Sequence, residues 1–427
     1  MTIAIGRRAF VAGLCLTPLA AAVAPAAARP RGAAPVVPVT PAGAAPRLVA
    51  TFDHQVTGVT VSRGGRIFVN FPRWTEEVPV SVAEVLPGGG LRPFPDDAWN
   101  AWRNTRKYAL PPEAHFICVQ SVVADDRDNL WVLDPAAPAQ ERVVPGGPKL
   151  VQIDLAANAV VRTIRLDEGV APQGSYLNDV RFSPDGGHAY ITDSGARGAI
   201  VMVDLTTGAA RRVLDGHPST QIERDVVVTA DGRPLWHPDG RGVEFAADGI
   251  ALAPDGRTLY WQALTGRTLY GIPTAALDDP TLAAPALAAR VTRVGMNGVA
   301  DGLLIDRRGR MYVTAPEENA VKVREGDASG VRSGDQLAVI AQDERLRWPD
   351  TLAEGPDGAI YVTTSHIQDM MWFEPGNSPH LTTQLWAIPT AALPGLPSAG
   401  GGGMATPPAL AGWGTPGHYR VGAAPTR

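Results

Sequence analysis

Three aspartates, two amides and one threonine recur at a single position of a phrase that the chain writes six times. Counted back from the turn glycine, or from Asp128 in the one copy that lacks the glycine, this position is held by Thr57, Gln120, Asn178, Asp248, Asp301 and Asp350. If the fold brings these residues together, the three carboxylates repel one another unless a cation or a proton offsets their charge. A hard divalent cation such as Ca²⁺, held by oxygen ligands, would do so, and so would an organic amine. A local role is equally open, because Asp or Asn before Gly can hydrogen-bond neighbouring backbone amides.

The repeated phrase is a β-hairpin: an apolar strand, a tight turn such as Pro-Asp-Gly, and a second strand rich in Tyr, Val and Ile. Its clearest copies begin at Asn178, Asp248, Asp301 and Asp350, and less regular copies begin at Thr57 and Gln120. One hairpin cannot bury both of its faces, so like units must pack around an axis or along a stack. Six units predict an all-β fold, a six-bladed β-propeller.

In this fold the recurring position is the start of the innermost strand of every blade, and its six side chains ring one mouth of the central channel. The Pro-Asp-Gly turns then lie on the opposite face. The loops between second and third strands return to the ring, and they cover residues 70–86, 192–198, 262–268, 315–320 and 364–371.

The last copy has only three strands of its own, ending with TQLWAIPT. RLVATFD, at residues 47–53, has outer-strand character but precedes the first copy. We therefore expect it to pair with the final blade, because closing the ring with strands from both parts of the chain removes exposed sheet edges.

Two further residues on the mouth loops are candidates for chemistry. His366 could act as a general base or sit beside a metal, although a plain loop histidine is the commoner case. Trp74 could wall a ligand site, since an aromatic ring offers apolar contact and cation–π attraction.

The sequence WHP around His237 lies in a long excursion after Gln221 that could form a flap. We find no serine-hydrolase elbow, zinc-protease motif or phosphate-binding loop.

The ends of the chain predict export. Arg7 and Arg8 precede Phe10 and an alanine-rich apolar stretch, which indicates a twin-arginine signal over residues 1–28 and a periplasmic or extracellular protein. Residues 29–46 read as a flexible leader, 47–392 as the propeller and 393–427 as a Gly/Pro/Ala-rich tail. Only Cys118 remains after cleavage, so no internal disulfide is expected.

Composition narrows the class of partner. The formal net charge is −5 and no run of Lys or Arg occurs, which argues against nucleic acid. No later segment is long and apolar enough to cross a bilayer, so we expect no membrane after signal cleavage. The expected partner is a small molecule; the sequence does not define an oligomeric state.

Three stretches resemble the yellow / major royal jelly protein family. They are FPRW (71–74) with VPVSV (78–82) and LRPFPD (91–96), then VQSV (119–122) with LWVLD (130–134), then NDV (178–180) with ITDS (191–194). The resemblance implies a secreted six-bladed propeller with a small-molecule site at the channel mouth. Insect members include binders of biogenic amines and proteins to which dopachrome conversion has been attributed.

A more remote resemblance runs to gluconolactonase-like propellers, which hold a divalent metal with a Glu, two Asn and an Asp. It implies a metal set of Asn178, Asp248 and Asp301, with Asp248 in place of one Asn. The family's Glu would fall at Thr57, a poor ligand, unless Asp350 or Gln120 completes the shell.

The sequence therefore favours an exported propeller that binds a small organic ligand at an acidic mouth. A metal-dependent lactonase or esterase, a dopachrome-type tautomerase and a purely structural propeller stay open, as does whether the protein is an enzyme. For catalysis the residue to test is His366; for binding, the six ring residues and Trp74.

Overall fold

The protein is a six-bladed β-propeller in a computed structural model that describes residues 45–76, 78–106 and 109–390. Each blade is a four-stranded antiparallel sheet. The predicted export signal (1–28), residues 29–44 of the predicted leader, residues 391–392 of the predicted propeller and the predicted tail (393–427) lie outside the described residues. Among the described residues, no helix is long and apolar enough to span a bilayer.

The first three blades each use four consecutive strands. The first strand among the described residues, β1 (Arg47–Phe52), belongs to blade 6. Blade 1 contains β2 (Val59–Val61), β3 (Ile67–Asn70), β4 (Val82–Val85) and β5 (Leu91–Pro93). Blade 2 contains β6 (Ser121–Ala124), β7 (Asn129–Asp134), β8 (Lys149–Asp154) and β9 (Ala159–Arg165). Blade 3 contains β10 (Leu177–Phe182), β11 (His188–Asp193), β12 (Ala199–Asp204) and β13 (Ala210–Val213).

The later blades carry insertions. After the small hairpin of β14 (Thr229–Ala230) and β15 (Arg233–Pro234), blade 4 contains β16 (Ala247–Leu252), β17 (Thr258–Ala263), β18 (Thr268–Pro273) and β19 (Thr292–Met296). Helices α1 (Thr274–Asp278) and α2 (Ala284–Ala288) join its last two strands. Blade 5 contains β20 (Leu303–Ile305), β21 (Met311–Ala315), β22 (Ala320–Arg324) and β25 (Ala338–Gln342), with a hairpin of β23 (Gly326–Asp327) and β24 (Gly330–Val331) inserted. Blade 6 contains β26 (Pro349–Glu354), β27 (Ile360–Thr364) and β28 (Thr383–Ile388).

Short 3₁₀ turns occupy several loops. They cover Asn104–Arg106, Pro112–Ala114, Pro138–Gln140, Pro218–Thr220, Pro316–Glu318 and Ile367–Asp369. Five of the six begin beside a proline or at a left-handed residue, where a strand cannot continue.

Blade 6 closes the ring as expected. β1 pairs antiparallel with β28, with Thr51 opposite Gln384 and Phe52 opposite Thr383. The fourth strand of the last blade thus comes from the other part of the chain. The innermost strands contact one another in cyclic order, β2–β6–β10–β16–β20–β26 and back to β2. The predicted closure is confirmed, and the outer strands predicted for blades 3 to 6 are confirmed as well.

The turn between the first two strands adopts one backbone conformation in every blade. The aligned glycines Gly65, Gly186, Gly256, Gly309 and Gly358 all have φ between 74° and 86°. In blade 2, Asp128 replaces the glycine and still has φ of 57°. Asp is among the few residues with a side chain that tolerate this left-handed region, which explains the substitution.

Apolar residues pack between neighbouring blades. Blades 3 and 4, for example, enclose Tyr190, Ile200, Ile250 and Trp261 in one cluster. A separate cluster that includes Trp74, Trp102, Tyr176, Trp348 and Phe373 covers the mouth side of the channel. With no disulfide among the described residues, where Cys118 is free and buried, burial of these side chains is the main source of stability.

Candidate functional site

The ring residues meet at the channel mouth. Five of the six predicted positions line one cavity, together with Trp74: Gln120, Asn178, Asp248, Asp301 and Asp350. The cavity has a volume of about 20 Å³, enough for about one water molecule. We call it the mouth cavity. It brings together side chains that lie up to 293 positions apart in the sequence, from Trp74 to Ile367.

A β-bulge aims the ring residue in three of the blades. The register between first and second strands shifts between Leu177 and Val180, between Ala247 and Ile250, and between Pro349 and Leu352. In each case the inner strand carries one extra residue, which turns a side chain toward the channel. The ring residue is the second residue of β10, β16 and β26 and lies just before β2, β6 and β20, a small shift from the predicted strand start.

The glycine after the ring residue lets neighbouring blades approach. A Cβ atom on Gly249 would lie 2.5 Å from the carbonyl oxygen of Asp301, and one on Gly302 would lie 2.0 Å from that of Asp350. No side chain fits at such distances. The Asp-Gly pair of the repeat therefore has a structural reason, close blade packing, that is separate from the chemistry of the aspartates.

The three aspartates are buried, and two of them are hydrogen-bonded to each other. The Asp248 carboxyl hydrogen-bonds that of Asp301, and the Trp348 indole Nε1 donates to Asp301 Oδ2 at 2.6 Å. Thr351 Oγ1 donates to Asp350 Oδ1 at 3.2 Å, and Ser365 also hydrogen-bonds this carboxyl. Asp301 thus accepts from two neighbours, which makes it the carboxyl of the pair that carries the negative charge.

Burial raises the pKa of all three carboxyls, and the charge of Asp179 adds to the rise in each. Loss of hydration is the largest cause in each. The charge of Asp301 raises the pKa of Asp248 and Asp350 well above the usual range. The pKa of Asp301 rises only to about 6, because Trp348 and Asp248 donate hydrogen bonds to it. Of the three, Asp301 therefore ionises most readily, and burial and its charge favour the protonated forms of Asp248 and Asp350.

A chain of hydrogen bonds runs around the other half of the mouth. Trp74 Nε1 donates to Tyr176 Oη at 2.6 Å, and Tyr176 Oη donates to Gln120 Oε1 at 2.8 Å. Gln120 Nε2 donates to Asn178 Oδ1 at 3.4 Å, and Asn178 Nδ2 donates to Ser194 Oγ at 3.0 Å. This chain fixes the direction of every donor and acceptor, as a preorganised polar site requires.

Trp74 is placed by a buried arginine. The Arg73 guanidinium donates to the carbonyl oxygens of Val78, Phe116 and Asn100 and to Ser81 Oγ. Burial, followed by the charge of Arg103, lowers the pKa of Arg73 to about 9. The Pro-Arg-Trp element thus ties the first mouth loop to blade 2 and presents Trp74 to the cavity.

Two predicted residues lie elsewhere. Thr57 is fully buried, does not line the mouth cavity, and its Oγ1 accepts a hydrogen bond from Asn70 Nδ2 at 2.9 Å. His366 lies on the expected loop, but its Nδ1 contacts Asp369 Oδ2 at 3.3 Å and its Nε2 contacts Gln384 Oε1 at 3.1 Å. Its neighbour Ile367 faces the cavity instead.

The predicted metal set is not arranged as a metal-binding group in this structure. Among the described residues, no three His, Cys, Asp or Glu side chains form a group that could hold a metal. Of the predicted metal set, Asn178 is engaged by Gln120 and Ser194, and Asp248 and Asp301 are hydrogen-bonded to each other. The oxygen-only donor set matches what Ca²⁺ prefers, but its present arrangement is not that of a metal shell.

A larger cleft opens beside the mouth cavity on the same face. It has a volume of about 730 Å³ and shares Gln140, Tyr176, Ser194 and Phe245 with the cavity. We call it the upper cleft. Its other walls include Trp372, whose ring lies 5.4 Å from that of Trp74, and residues of the excursion (221–246) that precedes blade 4.

The excursion is anchored across the ring. Thr229 N donates to Glu317 Oε1 at 3.1 Å in blade 5, and Arg233 pairs with Glu374 at 3.1 Å beside blade 6. The rings of His237 and Phe373 lie 4.8 Å apart. The predicted flap is thus a fixed wall of the upper cleft in this structure.

Seven lining residues were not predicted as site residues. Three of them lie on the predicted mouth loops, namely Ser194, Leu264 and Ile367, and four lie outside those loops, namely Gln140, Tyr176, Phe245 and Trp348. Tyr176 and Trp348 each lie two positions before a ring residue, in the segment that leads into the inner strand. An aromatic residue at this offset in two copies was a usable signal. Gln140 and Phe245 lie in stretches that the other copies lack, so the repeat carried no information about them.

Comparison with solved structures returned proteins whose described activities differ from one another. A gluconolactonase from Xanthomonas campestris is 12% identical, with a TM-score of 0.46, and the match covers 84% of this chain and 99% of that one. The calcium-binding protein regucalcin from Agrobacterium tumefaciens is 16% identical, with a TM-score of 0.46 and coverage of 83% and 97%. A streptogramin B lyase is 11% identical, with a TM-score of 0.45 and coverage of 81% and 97%.

No curated protein matches the sequence. The family model described as major royal jelly protein matches residues 117–376, which is more than half of the chain. The matched region contains five of the six ring residues and the whole aspartate trio. The chain belongs to the major royal jelly protein family.

Proposed function

We propose that the protein binds a small organic cation, with an apolar or aromatic body in the upper cleft and a cationic head at the mouth cavity. The proposal rests on the observation that the upper cleft adjoins the mouth cavity. A cleft of about 730 Å³ adjoins a cavity of about 20 Å³ that three carboxyls line. Ligand pockets for small organic molecules usually measure about 300–1,000 Å³, so the cleft has a suitable size.

The walls support an aromatic ligand. Tyr176, Phe245 and Trp372 line the upper cleft, and the ring of Trp74 contacts that of Trp372. Aromatic side chains offer stacking and attract cations to their faces. The mouth cavity admits a group about the size of one water, which an ammonium head matches and a ring does not.

The charge of the trio gives binding a specific proton signature. A cation favours the ionised carboxyls, so it lowers their pKa and expels protons that the free protein holds. Affinity should therefore rise as pH increases from about 5 to about 7, through the pKa of about 6 of Asp301.

A second candidate function is an isomerase that moves a proton within its substrate. It is favoured by Asp301, because a carboxyl with a pKa of about 6 can accept and return a proton near neutral pH. On this hypothesis the same cleft holds the substrate, and Asp301 is its base.

Isothermal titration calorimetry with phenethylamine as the probe tests the proposal. The heat of phenethylamine binding at pH 7 should differ between phosphate and HEPES buffers, because the buffer takes up the protons that binding releases. The neutral analogue 2-phenylethanol should bind about tenfold more weakly than phenethylamine. Asp301→Asn should weaken phenethylamine binding by about tenfold. Asp357→Asn, in a Pro-Asp-Gly turn on the opposite face, is the matched control and should change nothing.

Equal affinity for the amine and the alcohol would overturn the proposal. So would stoichiometric binding of Ca²⁺ that Asp301→Asn abolishes, because the mouth would then be a metal site. Conversion of a catechol-derived quinone that depends on Asp301 would favour the isomerase.

A further inference from the structure

A second group of cavities lies at the other end of the channel. One has a volume of about 520 Å³ and a neighbouring one about 170 Å³, and they share the segment from Val123 to Asp126, Arg181, Arg307 and Glu354. We call the pair the lower vestibule. It has no lining residue in common with the mouth cavity or the upper cleft.

The first-to-second-strand turns build the lower vestibule. Residues 125–129, 183–186, 253–254 and 306–307 all contribute, and these turns lie on the face opposite the ring. On β10, Arg181 comes three positions after Asn178, about 10 Å farther down the channel at the usual rise per residue. The vestibule is therefore a separate site.

An ion pair separates the two ends. Arg181 Nη2 lies 2.9 Å from Asp179 Oδ2 and donates to the carbonyl oxygen of Leu303 across the channel at 2.7 Å. Ser121 Oγ donates to the other oxygen of Asp179 at 2.6 Å. The pair forms the floor of the vestibule and directs a guanidinium toward it.

The other arginines of the vestibule keep their charge. Arg63, Arg127 and Arg162 donate to the main-chain carbonyl oxygens of Asp126, Asp185 and Leu205, which carry no formal charge to cancel theirs. Arg307 has a 59% exposed side chain and only a long contact, 3.7 Å, with Glu354. Each of these guanidinium groups can take up an anion.

The acids of the vestibule are partly neutralised. Asp306 pairs with the buried Arg310, which is not a lining residue, at 2.6 Å. Burial raises the pKa of Glu354, so less of its charge opposes an anion. Five arginines and five acids line the vestibule, and the Asp306–Arg310 pair leaves the arginines in excess by one charge.

The walls add a flat apolar surface. The rings of Trp131 and Phe182 stack at 4.9 Å, and Phe182 is half-buried. Pro184, Pro254 and Ile305 surround them. A flat, apolar ligand can lie against this surface while an anionic group reaches Arg307 or Arg181.

We propose that the lower vestibule is a second ligand site, which takes a small organic monoanion with a flat apolar body, such as an aromatic carboxylate. The site is independent of the cation site that we propose at the mouth. One chain would then hold ligands of opposite charge at the two ends of its channel.

Benzoate is the probe, and benzamide, which has the same shape without the charge, is its control. Calorimetry or saturation-transfer NMR should show benzoate binding that is weakened by added salt, and benzamide should bind about tenfold more weakly. Arg307→Gln should weaken benzoate binding by about fivefold or more.

Two further variants make the test specific. Arg293→Gln alters an equally exposed arginine with a similar 3.8 Å contact to Asp335, away from the vestibule, and should leave benzoate binding unchanged. Asp301→Asn should also leave it unchanged, since that residue lies at the other end of the channel. The absence of benzoate binding at about 10 mM, equal affinity for benzamide, or an equal loss in Arg293→Gln would overturn the proposal.

Discussion

At the scale of single residues, the account depends on three carboxyls that are paired with each other rather than with a cation. Asp248, Asp301 and Asp350 are each less than 10% exposed, and no Lys or Arg forms an ion pair with them among the described residues. In the folded protein their pKa values lie above the usual 3.9 or so, because burial and like charge favour the protonated form. The mouth carboxyls therefore hold protons that a bound cation can displace.

Such carboxyls should make stability fall as pH rises. Between about pH 4 and their folded pKa, these carboxyls bind more protons in the folded protein than in the unfolded chain. Their contribution to the free energy of unfolding is therefore largest below about pH 4 and falls through about pH 6. For Asp301 alone the shift corresponds to about 3 kcal/mol. Asp248→Asn replaces a neutral carboxyl by an amide and removes one of the coupled groups.

We therefore expect Asp248→Asn to lose less free energy of unfolding between pH 4.5 and pH 7.5 than the parent protein. Urea denaturation at several pH values measures this difference, with Asp357→Asn as the control. Parallel stability curves for Asp248→Asn and the parent would contradict the assigned protonation of the trio.

At the scale of the elements, glycines set the distance between blades. Gly302 precedes β20, and its missing side chain leaves room for the carbonyl of Asp350 in blade 6. Thr363, on β27, donates from Oγ1 to the carbonyl oxygen of Thr57 in blade 1. These contacts place the ring residues at one height, so the mouth depends on blade packing as much as on the aspartates.

Gly302→Ala should destabilise the protein by about 1–3 kcal/mol, because its Cβ would lie 2.0 Å from the carbonyl oxygen of Asp350. Gly90→Ala is a matched control, since no atom lies within 4 Å of the added Cβ. Its effect should stay within about 0.5 kcal/mol. Thermal denaturation of both variants checks the prediction, and equal melting temperatures would contradict it.

Repetition made the ring predictable from the sequence. The turn glycines align six hairpins, and their alignment identifies Asn178, Asp248, Asp301 and Asp350 as neighbours before any coordinates are known. Features that occur once were harder to predict. The excursion that supplies Phe245 has no counterpart in the other blades, and the direction of the His366 side chain depends on its left-handed backbone, with φ of 53°.

At the scale of the whole molecule, closure by β1 turns a row of hairpins into a channel with two different ends. The mouth has carboxyls that hold protons, next to an aromatic cleft, and the lower vestibule has arginines beside a stacked aromatic pair. The Asp179–Arg181 pair lies between them. The charge of Asp179 also helps to raise the pKa of the mouth carboxyls.

The central claim is that carboxyls from three separate blades meet, and that burial and the charge of Asp301 keep Asp248 and Asp350 protonated above the usual pH range of aspartate. A pH titration of ¹³C-labelled aspartate carboxyl carbons by NMR, assigned with the Asn variants of Asp248, Asp301 and Asp350, tests it most directly. We predict that the Asp301 resonance titrates near pH 6 and that those of Asp248 and Asp350 titrate well above the usual aspartate pKa of about 3.9. Three independent titrations near pH 4 would contradict it, because the carboxyls would then be hydrated and apart.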